Sequence, residues 1–300
     1  MKTKENINRK YFPAISRIFT PLVMDSLVQN GYSPYLTEIS INSGLLESIN
    51  PATTLGQFFD QIYNLLFKHY RNEYIYKNVI ANKILLGKHS LNTSIMLTEF
   101  RVSKNKADVV ILNGDSTVYE IKSQYDSFAR LDKQIQAYFE IFDYINVITS
   151  PSQVKKLDSI LPDKAGILVL TNRKTISTMR EPKSNKENIN PAILFDSLRK
   201  TEYIRIIKEY YGIVPDIPNT QIYRECKNLF CKIPLVYSHD LTIKILKERI
   251  NTNNLKGFID KAPSSVSAYA MSICEQKKKM KNLMALFDRD INSLLIQEAI

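Results

Sequence analysis

The chain has 300 residues, 44% of them hydrophobic, which is enough apolar material for a sizeable core and excludes global disorder. Eight glycines and 12 prolines exclude collagen-like and low-complexity classes. The 41 Lys and Arg stand against 30 acids, a formal net charge of +11 that favours a polyanionic partner, nucleic acid above all.

Taken in chain order, the basic N-terminus is not followed by the apolar segment of a secretory signal. Residues 1–52 carry Pro13, Pro21 and Pro34 and read as short helices and loops, an N-terminal helical extension. Helical spacing then runs over 53–86, with Leu55, Phe58, Phe59, Ile62, Leu65 and Leu66 on one stripe. Asn72 is placed to cap a second helix carrying Tyr76, Val79, Ile80 and Ile84. Strands are expected at 95–102, 108–112 and 117–122, the last two joined around the hairpin signal Asn113-Gly114. A helix over 126–142, a strand over 144–149, a helix over 152–160 and a strand over 166–171 follow. Antiparallel strands followed by crossovers predict a mixed α/β sheet. Residues 173–191 read as a basic polar loop, and 192–300 as a mainly helical C-terminal region with periodicity over 193–211, 241–250 and 265–295. The longest apolar runs are strand-length, so no membrane partner is expected. Three cysteines (Cys226, Cys231, Cys274) are too few and odd in number for a disulfide framework, which points to a reducing cytosol.

The chemistry concentrates in residues 107–123, ADVVILNGDSTVYEIKS. Residues two apart in a strand share a face, so Glu120 and Lys122 project together while Tyr119 and Ile121 face apolar packing. A three-residue loop, Leu112-Asn113-Gly114, would put Gly114 at a position needing positive φ, beside a bulge. Asp108 would then face Val118, diagonal to Glu120 on the same side. Two carboxylates beside a lysine suit a hard divalent cation, Mg²⁺ or Mn²⁺, and phosphoryl chemistry.

Asp108, then Glu120-x-Lys122, then Gln134-Ile-Gln-Ala-Tyr138 resembles the PD-(D/E)XK nuclease superfamily. The last element looks like the QxxxY motif of its RecB-like branch. The stretch DSFARLDKQIQAY after Glu120-Ile-Lys-Ser also resembles a poorly characterised bacterial family within that superfamily. The likeness covers roughly residues 70–150, and Ala107 stands where the motif name has Pro. It implies a restriction-endonuclease-like core over 53–172: helix, three strands, helix, strand. It implies metal-binding acids at Asp108 and Glu120, a catalytic lysine at Lys122, and Gln134 and Tyr138 beside the site. Glu73 matches the acid that the first helix often contributes, and Glu99 is its rival for an auxiliary metal role.

The expected function is a metal-dependent nuclease acting on nucleic acid, DNA foremost, in bacterial defence or mobile-element biology. The alternatives are a catalytically silent nucleic-acid-binding module of a larger complex and a protein-interaction component. Arg173, Lys174, Arg180 and Lys183 follow the last core strand and are expected to grip phosphates. Lys277, Lys278, Lys279 and Lys281 fit a solvated helix face better. Cys226, Cys231 and His239 lack a fourth ligand for zinc. Ser238-His239-Asp240 are sequence neighbours, a poor arrangement for a triad. No P-loop occurs. Within 107–123 three acids outweigh one base, so the basic excess lies outside the proposed cation site.

Overall fold

The computed structural model describes residues 7–48 and 53–295. The chain divides into two compact units, Met1–Asn82 with Asn251–Ile300, and Lys83–Ile250. These units cut across the boundaries drawn from composition at 172 and 191; the boundary at 52 lies outside the described residues. Composition registers a change of character along the chain, not which helix packs on which.

The first unit begins with helices α1 (Phe12–Ser16), α2 (Pro21–Asn30), α3 (Pro34–Asn42), α4 (Leu55–His69) and α5 (Glu73–Ile80). Thr54 and Gln57 form a capping box at the start of α4. Leu55, Phe58, Phe59, Ile62 and Leu66 of its stripe are buried, while Leu65 is half-buried. Asn72 is the N-cap residue of α5 but makes no side-chain capping bond. A π-helical turn, Ala81–Leu85, and α6 (Leu86–Lys88) lead into the second unit.

That unit is built on six strands, β1 (Ile95–Val102), β2 (Asn105–Leu112), β3 (Ser116–Lys122), β4 (Tyr144–Thr149), β5 (Gly166–Leu170) and β6 (Ile176–Arg180). They lie in the order β1-β2-β3-β4-β5-β6, with β3-β4 and β4-β5 parallel and the other pairs antiparallel. The mixed α/β sheet expected from the sequence is present. Its helices are α7 (Leu131–Phe139), α8 (Val154–Asp158), α9 (Pro191–Asp196), α10 (Lys200–Tyr211), α11 (Asn219–Phe230) and α12 (Leu235–Lys247). The chain then returns to the first unit with α13 (Thr252–Ile259), α14 (Ser267–Ile273), α15 (Lys277–Phe287) and α16 (Ile291–Leu295). There, buried Asn78 of α5 donates to the Ser264 carbonyl at 2.8 Å and accepts the Ala268 N–H at 2.9 Å, closing contact between segments distant in sequence. Among the described residues no helix is long and apolar enough to cross a membrane.

Several elements depart from the sequence reading: the periodicity over 193–211 is divided between α9 and α10, that over 265–295 among α14, α15 and α16, and the helix expected over 241–250 begins at Leu235. Strand β6 occupies part of the stretch read as a loop; it is an edge strand with mostly exposed side chains, so it lacks an apolar signature. The helix expected over 126–142 is confined to α7, because Asp126 turns back to accept from the N–H and hydroxyl of Ser123 at 2.8 and 2.6 Å. Helix α11 buries only Ile222, Cys226 and Phe230, too sparse a stripe to stand out.

Helix α10 is tied to the end of α12 through Glu202 and Arg249. Arg249 donates to both Glu202 oxygens at 2.6 and 2.7 Å, and its guanidinium lies 5.4 Å from the centre of the Phe100 ring on β1. The Glu202 side chain is 9% exposed, so removing its partner strands a buried charge. Arg249→Ala is therefore expected to lower stability by about 3–5 kcal/mol, read by chemical denaturation. A change within about 0.5 kcal/mol, as for an ordinary surface substitution, would contradict this.

Candidate active site

Strand β3 runs between β2 and β4, and its register fixes the site. Leu112 pairs with Ser116, Val110 with Val118 and Val109 with Tyr119. Continued one step, this register sets Asp108 directly opposite Glu120. The three-residue loop is thus Asn113-Gly114-Asp115, one position beyond the loop expected, with Gly114 at φ +117° and no bulge. The expected partner of Asp108, Val118, is wrong by two residues. The expected face survives, because a shift of two preserves side-chain parity. Tyr119 and Ile121 are buried on the other face, as alternation requires.

Glu120 is 1% exposed and both its oxygens are bonded. Lys122 Nζ donates to Oε1 at 2.8 Å and to Gln134 Oε1 at 3.0 Å. The Tyr138 hydroxyl lies 2.7 Å from Glu120 Oε2 and 2.9 Å from the Lys106 carbonyl, sharing its one proton between them. Burial, then the charge and hydrogen bond of Glu120, then the charge of Asp108, push the Tyr138 phenol far above its usual range. It therefore remains a donor. Gln134 and Tyr138 reach β3 together because they lie four residues apart on α7.

The other acids of the row lie on β2 and β1. Asp108 Oδ2 accepts the Ile121 N–H at 2.7 Å, which anchors its carboxylate across the strand pair. The β1–β2 register, Thr98 with Val109 and Phe100 with Ala107, brings Glu99 opposite Asp108. Carboxylate oxygens of these two lie within 4.8 Å of each other. Glu99 has φ +55°, a left-handed conformation that costs a non-glycine residue about 1–3 kcal/mol and clusters at functional sites. Nothing in the local sequence signals this conformation. Glu73 opens α5 in the first unit, where it pairs with Lys77 one turn on at 2.5 Å.

The expected phosphate-gripping residues are divided. Arg173 and Lys174 are exposed in the β5–β6 turn, at the carboxyl end of β5. Because β3, β4 and β5 are parallel, this is the sheet edge that carries Lys122. Arg180 and Lys183 lie toward the opposite edge, near the start of β5. The Arg180 guanidinium donates to the carbonyls of Ala165 and Pro162 and to Asp158, bracing β6 rather than facing solvent. Among the described residues Cys226, Cys231 and His239 do not form a metal-holding group. In the first unit Lys279 is paired with Asp25 at 2.9 Å, while Lys277, Lys278 and Lys281 are exposed.

His239 instead serves a buried network that sequence neighbours did not reveal. Its Nε2 lies 3.0 Å from Asp143 Oδ2 and 3.3 Å from Ser116 Oγ, and Asp143 Oδ2 also accepts the Ser116 N–H at 2.7 Å. Serine and aspartate approach the same ring nitrogen, so no proton relay of triad type is formed. Burial alone would raise the Asp143 carboxyl, but His239 and Ser116 outweigh it and hold it below its ordinary 3.8. A lowered folded-state value contributes stability that is present above the unfolded value and lost as pH falls through the folded one. Asp143→Asn is expected to flatten that acid limb in urea denaturation between about pH 5 and about pH 2; an unchanged slope would contradict it.

A solved structure of a protein of unknown function from Silicibacter pomeroyi aligns with 40% of this chain and 81% of its own, at 21% identity and a TM-score of 0.29, too loose to argue from. Protein cII of Enterobacteria phage P4 is 20% identical over 211 residues, covering 68% of this chain and 78% of that protein. The family described as Bacteriophage P4 protein cII matches residues 67–273, which include the whole sheet and every residue of the acidic row. The chain belongs to the bacteriophage P4 protein cII family.

Proposed function

We propose that this chain is a divalent-metal-dependent nuclease of the PD-(D/E)XK type, hydrolysing phosphodiester bonds of nucleic acid, DNA foremost. One observation carries the reading. Glu120, Lys122, Gln134 and Tyr138, separated by up to 18 residues, form one hydrogen-bonded set, with Asp108 opposite Glu120 in the register. The motif resemblance singles out the same five residues.

The donor set fits Mg²⁺ or Mn²⁺. Asp108 and Glu99 offer hard carboxylate oxygens within 4.8 Å of each other, whereas Glu120, next in the row, has its two oxygens engaged by Lys122 and Tyr138. Such an ion supplies Lewis acidity toward a phosphoryl oxygen and a more acidic bound water. The chain's own residues do the rest. Glu120 and Gln134 take two of the three Lys122 donors and hold its ammonium in place, leaving one for the attacking water or a phosphoryl oxygen. Tyr138 fixes Glu120 from the other oxygen.

The proposed setting is cytoplasmic, in bacterial defence or mobile-element biology; the origin of the cII relative in a phage is in keeping with this. The test is incubation of the purified chain with duplex DNA, single-stranded DNA and RNA, with Mg²⁺, Mn²⁺ or a chelator. Metal-dependent cleavage of DNA is expected. Salt-sensitive binding without cleavage of any substrate would favour a silent binding module, and neither binding nor cleavage would favour a protein-interaction role.

A further inference from the structure

We infer that Lys106 is a second functional lysine of the site, the one that receives a phosphate of the bound nucleic acid, while Lys122 is held for the reacting group. The inference rests on the nuclease reading and deepens it.

The acidic row sets three carboxylates, Glu99, Asp108 and Glu120, against the ammonium of Lys122. Such a surplus disfavours the approach of a polyanion. Lys122 does little to offset it at the surface. Its side chain is 11% exposed, and Glu120 and Gln134 accept from its Nζ at 2.8 and 3.0 Å. The row needs an accessible cation within its own span, and Lys106 supplies one.

Lys106 lies on β2, two residues before Asp108. Its main chain is fastened to the site: the Tyr138 hydroxyl lies 2.9 Å from the Lys106 carbonyl and 2.7 Å from Glu120 Oε2. Its side chain is 67% exposed, and Nζ stands 4.0 Å from Oε2 of half-exposed Glu99. At that separation the pair is beyond hydrogen-bond reach, so Glu99 commits none of the three ammonium donors. An exposed pair of this kind contributes little to stability, so the ammonium can exchange the carboxylate for a phosphate oxygen. Lysine suits that task, because a compact charge on a flexible stem meets a phosphate without demanding one orientation. Burial thus divides the two lysines. Lys122, enclosed, keeps a fixed geometry for chemistry; Lys106, projecting from a fixed backbone, meets the incoming polymer. A counter-ion serving Glu99 alone would make the same contact, and binding to nucleic acid separates the two roles.

The test uses the full chain with Lys106→Met and Lys106→Arg, and a labelled single-stranded DNA oligonucleotide as the probe. Binding in chelator is titrated at several salt concentrations. Lys106→Met is expected to reduce the log–log salt slope by about 0.7, one lost contact to a single strand, while Lys106→Arg keeps it. In Mg²⁺, Lys106→Met is expected to raise KM for cleavage roughly tenfold with kcat within about twofold, the signature of lost substrate binding. The bond from Tyr138 goes to the main chain, so both substitutions retain it, and circular dichroism verifies the fold. An unchanged slope in Lys106→Met leaves Lys106 as a counter-ion and overturns the inference. A slope lost equally in Lys106→Arg, or a fall in kcat with KM unchanged, also overturns it. A wild type that cleaves no substrate in Mg²⁺ or Mn²⁺ contradicts the nuclease reading itself, and the salt slope still decides the phosphate contact.

Discussion

Asp108→Asn is expected to slow metal-dependent cleavage on the order of 10³-fold, equivalent to roughly 4 kcal/mol of barrier. The substitution is close to isosteric. Asparagine keeps an oxygen for the Ile121 N–H, now 2.7 Å from Asp108 Oδ2, and removes only the negative charge. Thermal midpoints of the two proteins should agree, so the lost rate reports the charge rather than the fold. Full cleavage by a folded Asp108→Asn protein would remove this residue from the mechanism.

Lys122→Ala should fail in two ways at once. Glu120 is 1% exposed, and its ion pair with Lys122 is almost wholly shielded from water. Removing the lysine leaves a buried carboxylate bonded only by Tyr138. Breaking such a pair costs about 3–5 kcal/mol, because the remaining charge is uncompensated. Cleavage should disappear together with this stability. The double variant Glu120→Gln with Lys122→Met replaces the ion pair by neutral groups of similar size and should recover most of the lost stability without recovering cleavage. Denaturation and cleavage measured on both variants separate the structural from the chemical role. A double variant that cleaves like the wild type would leave these residues with a structural role only.

Much of the site was legible because strand alternation and helix spacing report face before they report position. The strands expected at 95–102 and 144–149 coincide with β1 and β4, where buried and exposed or uniformly buried patterns are clear. Parity on β3 and the hairpin register put Asp108, Glu120 and Lys122 on one face, whereas Gln134 and Tyr138 entered only through the motif resemblance. Parity also limited the damage of the misplaced hairpin loop: a shift of two residues altered the partner of Asp108 without changing its side of the sheet. Features that depend on distant contacts were not legible. The left-handed backbone at Glu99 has no local signature. The bracing of Arg180 depends on carbonyls some 15 residues earlier, so in sequence it resembled Arg173. The same holds for His239, whose partners Asp143 and Ser116 are supplied by the sheet rather than by its neighbours in the chain.

The most direct test of the cation site is a titration of Mn²⁺ into the metal-free chain, read by electron paramagnetic resonance with nucleic acid absent and present. The wild type is expected to bind Mn²⁺. Asp108→Asn and Glu99→Gln are expected to bind it at least about tenfold more weakly, as for loss of a carboxylate ligand, while Glu248→Gln, in an exposed ion pair with Arg205 outside the acidic row, is expected to bind it normally. Equal Mn²⁺ binding by the wild type and Asp108→Asn, in both conditions, would contradict the assignment of the acidic row as a metal site.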